Sequence, residues 1–167
     1  MGNTTALEID QESRTSADDH QALRLWLRLL TCTKLIERRI RAKLRTEFDV
    51  TLPRFDLMAQ LEREPDGLKM GELSMRMMVT EGNITGITYQ LEKEGLVVRS
   101  PAPDDKRASV VKLTPAGRKS FRRMARDHEQ WILEMFGQID SKTQQELHAL
   151  LGKLKRAAAT NLKSEAA

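Results

Sequence analysis

Cysteine is nearly missing: one thiol, Cys32, in 167 residues means no disulfide can close within the chain. The three histidines, His20, His128 and His148, are scattered, and no Cys/His spacing resembles a zinc site. Aromatics are only 4% of residues, and 9 glycines and 5 prolines are too few for an all-β fold with many turns. No apolar run approaches the roughly 18 residues that a membrane helix needs. The first 19 residues are polar and acidic, with no apolar core of a signal peptide. The start Met1-Gly2-Asn3-Thr4-Thr5-Ala6 fails as a myristoylation signal because Ala6 stands where Ser or Thr is required. These absences predict a cytoplasmic protein in a reducing compartment, without membrane contact. There is also no phosphate-binding glycine loop and no Ser/His/Asp constellation, and Glu62, Glu64 and Asp66 sit at an ordinary helix end. An enzyme is therefore not expected, nor a cofactor.

What is present is charge. Asp, Glu, Lys and Arg make up 31% of the chain, with a formal net charge of +4. Residues 1–19 carry five acids against Arg14, which leaves 27 basic and 19 acidic residues in the rest. A basic body of this kind suits a polyanionic partner. The acidic segment lacks periodicity and reads as a flexible N-terminal arm.

Helical periodicity starts after the arm. Leu23, Trp26, Leu27, Leu30, Leu35, Ile36, Ile40 and Leu44 recur at three- and four-residue steps, predicting one long helix from about His20 to Phe48. Thr51-Leu52-Pro53 starts a second, short helix, with Pro53 in the first turn where its missing N–H costs nothing. A third helix is expected over Met70–Met78, a turn over Val79–Gly82, and a fourth helix over Asn83–Glu94 that Gly95 ends. Leu96–Pro101 and Ser109–Leu113 read as strands around a charged loop, with Pro101 and Pro103 confining the first strand to an edge. Thr114-Pro115 opens a helix to about Gly137, and Asp140 caps a last helix to about Leu162. The fold class is mainly α, a winged helix-turn-helix with a small β-hairpin wing and long terminal helices.

The fourth helix divides cleanly. At about 100° per residue, Ile84, Ile87 and Leu91 share one side, while Gly82, Thr85, Gly86, Tyr89 and Lys93 face away. A recognition helix needs this division, because one side docks on the preceding helix and the other enters the major groove. Thr85 and Tyr89 are the main candidate contacts, flanked by Asn83, Gly86 and Gln90. Lys106 and Arg107 then stand at the hairpin tip beside Asp104 and Asp105, where a guanidinium suits the negative potential of a narrow minor groove. Over residues 99–126 nine basic residues face two acids.

This order of elements, with Leu91-Glu92-Lys93-Glu94-Gly95-Leu96-Val97-Val98-Arg99 and Asp105-Lys106-Arg107-Ala108-Ser109-Val110-Val111-Lys112-Leu113-Thr114-Pro115-Ala116-Gly117, resembles the MarR family of bacterial transcriptional regulators. The likeness runs over about residues 20–163. The second string matches that family's wing pattern, Asp-x-Arg, a strand, then Leu-Thr-x-x-Gly. The resemblance implies that Asp105 stabilises the wing by pairing with Arg107, and that Arg107 reaches the minor groove of operator DNA. Gly86 and Gln90 stand where family members commonly carry basic residues, so readout here should lean on Thr85 and Tyr89.

The terminal helices are amphipathic yet lack an evident partner within one chain, which predicts a homodimer through residues 20–50 and 118–163, with residues 51–117 as the DNA-binding domain. The resemblance further implies an effector pocket near Trp26, Leu29, Cys32, Phe55, Met58, Met124, His128 and Trp131, with Arg28 or Arg39 for an acidic group. Such a pocket suits an aromatic carboxylate. Leu52-Pro53-Arg54-Phe55-Asp56-Leu57-Met58 is similar to the branch that responds to hydroxycinnamoyl-CoA, which extends the candidates to aryl-CoA thioesters. The expected function is a homodimeric, ligand-responsive repressor released from DNA by its effector. The alternatives are thiol-redox sensing through Cys32, whose setting among Leu29, Leu30, Leu35 and Ile36 argues for a packed and inert thiol, and a winged-helix module for protein–protein contact.

Overall fold

The computed structural model describes residues 21–103 and 107–165, with side chains through Thr160. Its elements in chain order are α1 (Gln21–Phe48), α2 (Leu52–Glu62), β1 (Leu68–Lys69), α3 (Met70–Met77), α4 (Glu81–Lys93), β2 (Val97–Pro101), β3 (Ser109–Leu113), α5 (Pro115–Phe136) and α6 (Ser141–Glu165). This is the mainly helical winged fold expected from the sequence. The expectation of an N-terminal arm falls on residues outside the described ones.

Local chemistry accounts for most boundaries. Asp49 takes a left-handed backbone, φ 54°, and ends α1, with the Asp49 N–H donating to the Arg45 carbonyl at 3.1 Å and Val50 to Leu44 at 3.2 Å. Thr51 holds the N-cap position of α2 and Pro53 sits in its first turn, although the Thr51 side chain makes no capping bond. Asp140 caps α6 by accepting from the Thr143 N–H at 3.0 Å.

The turn between α3 and α4 differs from expectation. Thr80 is the N-cap of α4, its hydroxyl accepting from the Asn83 N–H, so the helix begins at Glu81 and takes in Gly82 and Asn83. Met78 rather than a glycine adopts the left-handed conformation, φ 54°. The Ser74 hydroxyl holds this turn by donating to the Val79 carbonyl at 2.7 Å, and the Val79 N–H returns to the Ser74 carbonyl at 3.2 Å. Side-chain capping thus placed the boundary where the glycine suggested a turn.

A third strand was also missed. β1 pairs antiparallel with β3, Leu68 opposite Val111, and the sheet order is β1-β3-β2. Gly67 turns the chain into β1 at φ +85°, and a Cβ there would meet the Val111 carbonyl at 2.4 Å. β2 pairs β3 from Val97 opposite Leu113 to Pro101 opposite Ser109, which leaves Pro101 on the edge strand as anticipated.

The chain divides into two compact units at Arg126 and Asp127. In the first, Leu44, Leu57, Met58, Leu61, Leu73, Ile84, Leu91, Val111 and Met124 are all under 2% exposed. This core draws Ile40 and Leu44 from α1 and Phe121 and Met124 from α5, and Phe55 lies against Phe121 with ring centroids 5.4 Å apart. The winged lobe therefore needs both long helices to close its own interior. In the second unit, Gln144 Nε2 donates to the carbonyls of Phe136 and Ile139, at 3.0 and 2.8 Å, bracing the turn before α6. Trp131 is buried there, whereas Leu133, Leu147, Leu150, Leu151 and Leu154 remain exposed.

Candidate nucleic-acid interface

α4 presents the two faces that its periodicity predicts. Ile84, Thr88 and Leu91 are fully buried and Ile87 is half-buried. Gly82, Asn83, Thr85, Gly86, Tyr89, Gln90 and Lys93 are exposed. Tyr89 keeps 62% of its surface in solvent, a large aromatic left on an otherwise polar face. Thr85 uses its hydroxyl hydrogen on the Glu81 carbonyl, 2.9 Å away, which leaves the oxygen's acceptor capacity facing outward. A Cβ added at Gly82 or Gly86 would meet nothing within 4 Å, so the chain itself does not demand either glycine.

The buried side of α4 fixes how that face is aimed. Thr88, which the sequence reading passed over, has no exposure and lies with its hydroxyl 3.8 Å from the Met70 sulfur. Its small side chain lets α4 seat closely on the start of α3. At the far end, Arg54 of α2 pairs with Glu94, just beyond α4.

The Leu-Thr-x-x-Gly string acquires a physical meaning at this same end. The Thr114 hydroxyl donates to the Gly95 carbonyl at 2.7 Å and accepts from the Gly117 N–H at 3.0 Å, so one side chain caps α5 and grips the turn after α4. The Thr114 N–H donates to the Leu96 carbonyl at 3.1 Å. Gly117 lies so close to this carbonyl that a Cβ would stand 1.9 Å from it. Leu113 is buried, completing the joint.

β2 and β3 carry the wing outward, and the Ala102 N–H donates to the Ala108 carbonyl at 2.9 Å across its neck. Arg107 is exposed on the returning side. Lys106, Asp104 and Asp105 lie outside the described residues, and with them the expected pairing of Asp105 with Arg107. Between the wing and the helix-turn-helix runs a cleft of about 550 Å³ bordered by Lys69, Thr85, Arg99 and Arg107. The contribution of Lys69 escaped the sequence reading because a two-residue strand has no period to detect.

The basic run over residues 99–126 is less uniform than its sequence suggests. Arg118 and Arg122 each bind Glu62 at 2.8 Å, tying α5 to the end of α2. Arg123 lies over the Phe48 ring at 5.1 Å, and Arg99 is 3.6 Å from Glu92. The expectation that only Asp104 and Asp105 oppose this charge is therefore corrected: Glu62 and Glu92, outside the run, neutralise part of it.

The candidate effector residues fall into separate groups. Phe55, Met58 and Met124 are buried core of the first unit. Trp26 is 55% exposed, and Arg28 is exposed, bordering a small hollow of about 150 Å³ with Gln21, Arg24 and Leu25 at the start of α1. His128, in the second unit, is half-buried, which pushes its pKa below the usual histidine value, and its ring meets Trp131 edge-on at 6.3 Å. Cys32 is exposed in the single chain rather than packed among its leucine neighbours. No residue of α1 before Ile40 is buried, and Leu35 near Cys32 is exposed as well. Among the described residues no helix is long and apolar enough to cross a membrane.

Comparison with known proteins gives a consistent result. The family model described as MarR family matches residues 50–109. The uncharacterised HTH-type transcriptional regulator YfiV of Bacillus subtilis is 30% identical over 122 residues, 73% of this chain and 71% of the relative. The crystal structure of a MarR family transcriptional regulator from Silicibacter pomeroyi is 33% identical with a TM-score of 0.73, the match covering 86% of this chain and 99% of that one. S. aureus MepR, solved as a complex with DNA, shares the fold at 18% identity, with a TM-score of 0.69 over 77% of this chain and 94% of that one.

Proposed function

The chain belongs to the MarR family and is a DNA-binding transcriptional regulator, and from this premise we propose that it acts as a homodimeric repressor which a small aromatic acid or its CoA thioester releases from operator DNA. The observation that carries the DNA-facing part is the exposed face of α4, Asn83, Thr85, Gly86, Tyr89 and Gln90, held beside the wing by its buried opposite side. In this reading Thr85 and Tyr89 contact base edges or phosphates in the major groove, and Arg107 with Lys106 enters the adjoining minor groove. Asp105 stabilises the wing loop. MepR, which shares the fold, was crystallised on DNA.

Exposed leucines support the dimer. Leu23, Leu25 and Leu35 on α1, Leu133 on α5, and Leu150 and Leu151 on α6 leave apolar surface in water, and a second copy would cover it. Residues 20–50 and 118–163 are then the dimerisation region and 51–117 the DNA-binding domain, with Ile40, Leu44, Phe121 and Met124 of the former also completing the core of the latter. An effector near Trp26, Arg28 and Cys32 on α1 would favour a half-site spacing that mismatches the operator. Each 1.4 kcal/mol of differential binding changes occupancy about tenfold. The hydroxycinnamoyl-CoA response rests on the Leu52–Met58 passage alone.

The exposure of Cys32 supports a second reading, in which thiol oxidation is the signal. Titration of the purified protein on a labelled duplex at several salt concentrations tests the central claim. Binding should fall linearly in log salt, and Arg107→Ala should weaken it and reduce the slope by about 1. An unchanged affinity and slope would show that the wing is not a DNA contact. Release from DNA by aromatic acids or CoA esters, compared with release by peroxide in wild type and Cys32→Ser, separates the two signals.

A further inference from the structure

Among the described residues the methionines separate by exposure. Met58 and Met124 are sealed in the core and Met70, Met77 and Met135 are half-buried, whereas Met75 is 73% and Met78 92% exposed. The Met70 sulfur also accepts from the Thr88 hydroxyl at 3.8 Å, which engages one of its lone pairs. The two exposed thioethers stand together. The Met78 N–H donates to the Met75 carbonyl at 3.2 Å, so both side chains leave the last turn of α3, three residues apart.

Met78 ends α3 at φ 54°, a left-handed backbone that glycine or asparagine adopts with less strain. The fold gains no burial from a methionine there. The paired bonds between Ser74 and Val79 hold this turn, and Thr80 caps α4 two residues later, so the pair stands at the entry to the candidate recognition helix. Met75 also borders the cleft that Thr85 of α4 and Arg107 share.

A thioether in water is open to two-electron oxidants such as a hypohalous acid, which needs no catalytic pocket to attack it. With hypochlorous acid an S–O bond forms as the O–Cl bond breaks. Sulfur is oxidised to the sulfoxide, chlorine leaves reduced as chloride, and the O–H proton passes to water. The product places a polar acceptor oxygen where the surface was apolar. Against a duplex, whose backbone offers phosphate oxygens rather than donors, that oxygen would lose water without gaining a partner.

We propose that Met75 and Met78 are an oxidant-sensitive modification site, and that their conversion to sulfoxides weakens DNA binding independently of Cys32. The effect on DNA rests on the DNA-binding reading; the modification itself does not.

The test uses full-length Cys32→Ser protein treated with hypochlorous acid in sub-equimolar steps. Peptide mass spectrometry should find added oxygen on Met75 and Met78 roughly tenfold ahead of Met70, Met77 and Met135. Anisotropy on a mixed-sequence duplex of about 30 base pairs should show affinity falling roughly three- to tenfold, with the unfolding midpoint unchanged. Methionine sulfoxide reductases acting on both epimers should restore binding. Met75→Leu with Met78→Leu in the same background should abolish the loss, read as the ratio of affinities before and after treatment within each protein. Oxygen added no faster at Met75 and Met78 than at the half-buried methionines would overturn the site. Complete oxidation of the pair with no change in affinity, or a loss that persists in the leucine variant, would overturn the switch and leave the DNA-binding reading standing. An untreated protein that fails to bind the duplex at low salt would overturn that reading and the switch with it, while mass spectrometry would still report the modification.

Discussion

Gly117→Ala and Gly86→Ala are the same chemical change in two helices, and they should act in opposite directions. At Gly117 the new methyl would stand 1.9 Å from the Leu96 carbonyl oxygen, 2.8 Å from its carbon and 3.2 Å from Leu113 Cδ2. A carbon needs more than 3 Å from an oxygen, so α5 and the turn after α4 must part by over 1 Å. That movement stretches the bonds that Leu96 accepts from Thr114, at 3.1 Å from the N–H and 3.3 Å from the hydroxyl. Overpacking costs about 1–3 kcal/mol and a weakened hydrogen bond about 1 kcal/mol, while Ala gains up to about 1 kcal/mol over Gly in a helix. The net loss is about 2 kcal/mol. At Gly86 nothing lies within 4 Å, so only the helix term remains and stability should rise by about 0.5–1 kcal/mol. Urea unfolding followed by circular dichroism, at one fixed protomer concentration, reads both changes. For a chain of this length the melting temperature should fall by roughly 4–8 °C in the first case and rise by roughly 1–4 °C in the second. A Gly117→Ala protein as stable as wild type would refute the close-packed joint between α5 and the turn after α4.

Burial raises the pKa of Asp56 from 3.8 to about 6, helped by the Glu37 carboxylate and partly offset by Arg41. The folded form thus holds this proton more tightly than the unfolded chain, and the associated stability is present below about pH 4 and lost as the pH rises through 6. Asp56→Asn should therefore stabilise the protein at pH 7.5 by about 1 kcal/mol, allowing for solvent around a half-buried group, with the gain vanishing near pH 4; a pH-independent gain would contradict it. If the proposed dimer forms through α6, Leu150→Asp with Leu151→Asp should shift sedimentation from dimer to monomer and weaken DNA binding at least tenfold, because two half-sites are no longer read together. A variant that still sediments as a dimer would locate the interface elsewhere.

Periodicity alone located α4 and its two faces, because a helix between solvent and a core must repeat its apolar residues every three to four positions, and Ile84, Ile87 and Leu91 do so. It likewise placed α1, α2, α5 and the wing strands to within a residue or two, each marked by a cap, a proline or a β-branched run. β1 was illegible, since two residues carry no period and the strand exists only because β3 offers it a partner. The start of α4 was misplaced because Gly82 looked like a turn while the Thr80 hydroxyl was already capping the helix.

What the sequence by itself determined is which residues form each element and which side of each is apolar, since these follow from interactions a few residues long. Only the tertiary structure decided which charges cancel and where space is left. Glu62 meets Arg118 and Arg122 across more than fifty residues of chain, Gly117 abuts Leu96, and Lys69, Arg99 and Arg107 border one cleft. Cys32 belongs to the same class: its neighbours in sequence suggested burial, and in the folded chain nothing buries α1 before Ile40. Electrostatic and steric terms depend on distance through space, and distance through space is fixed only when the elements pack.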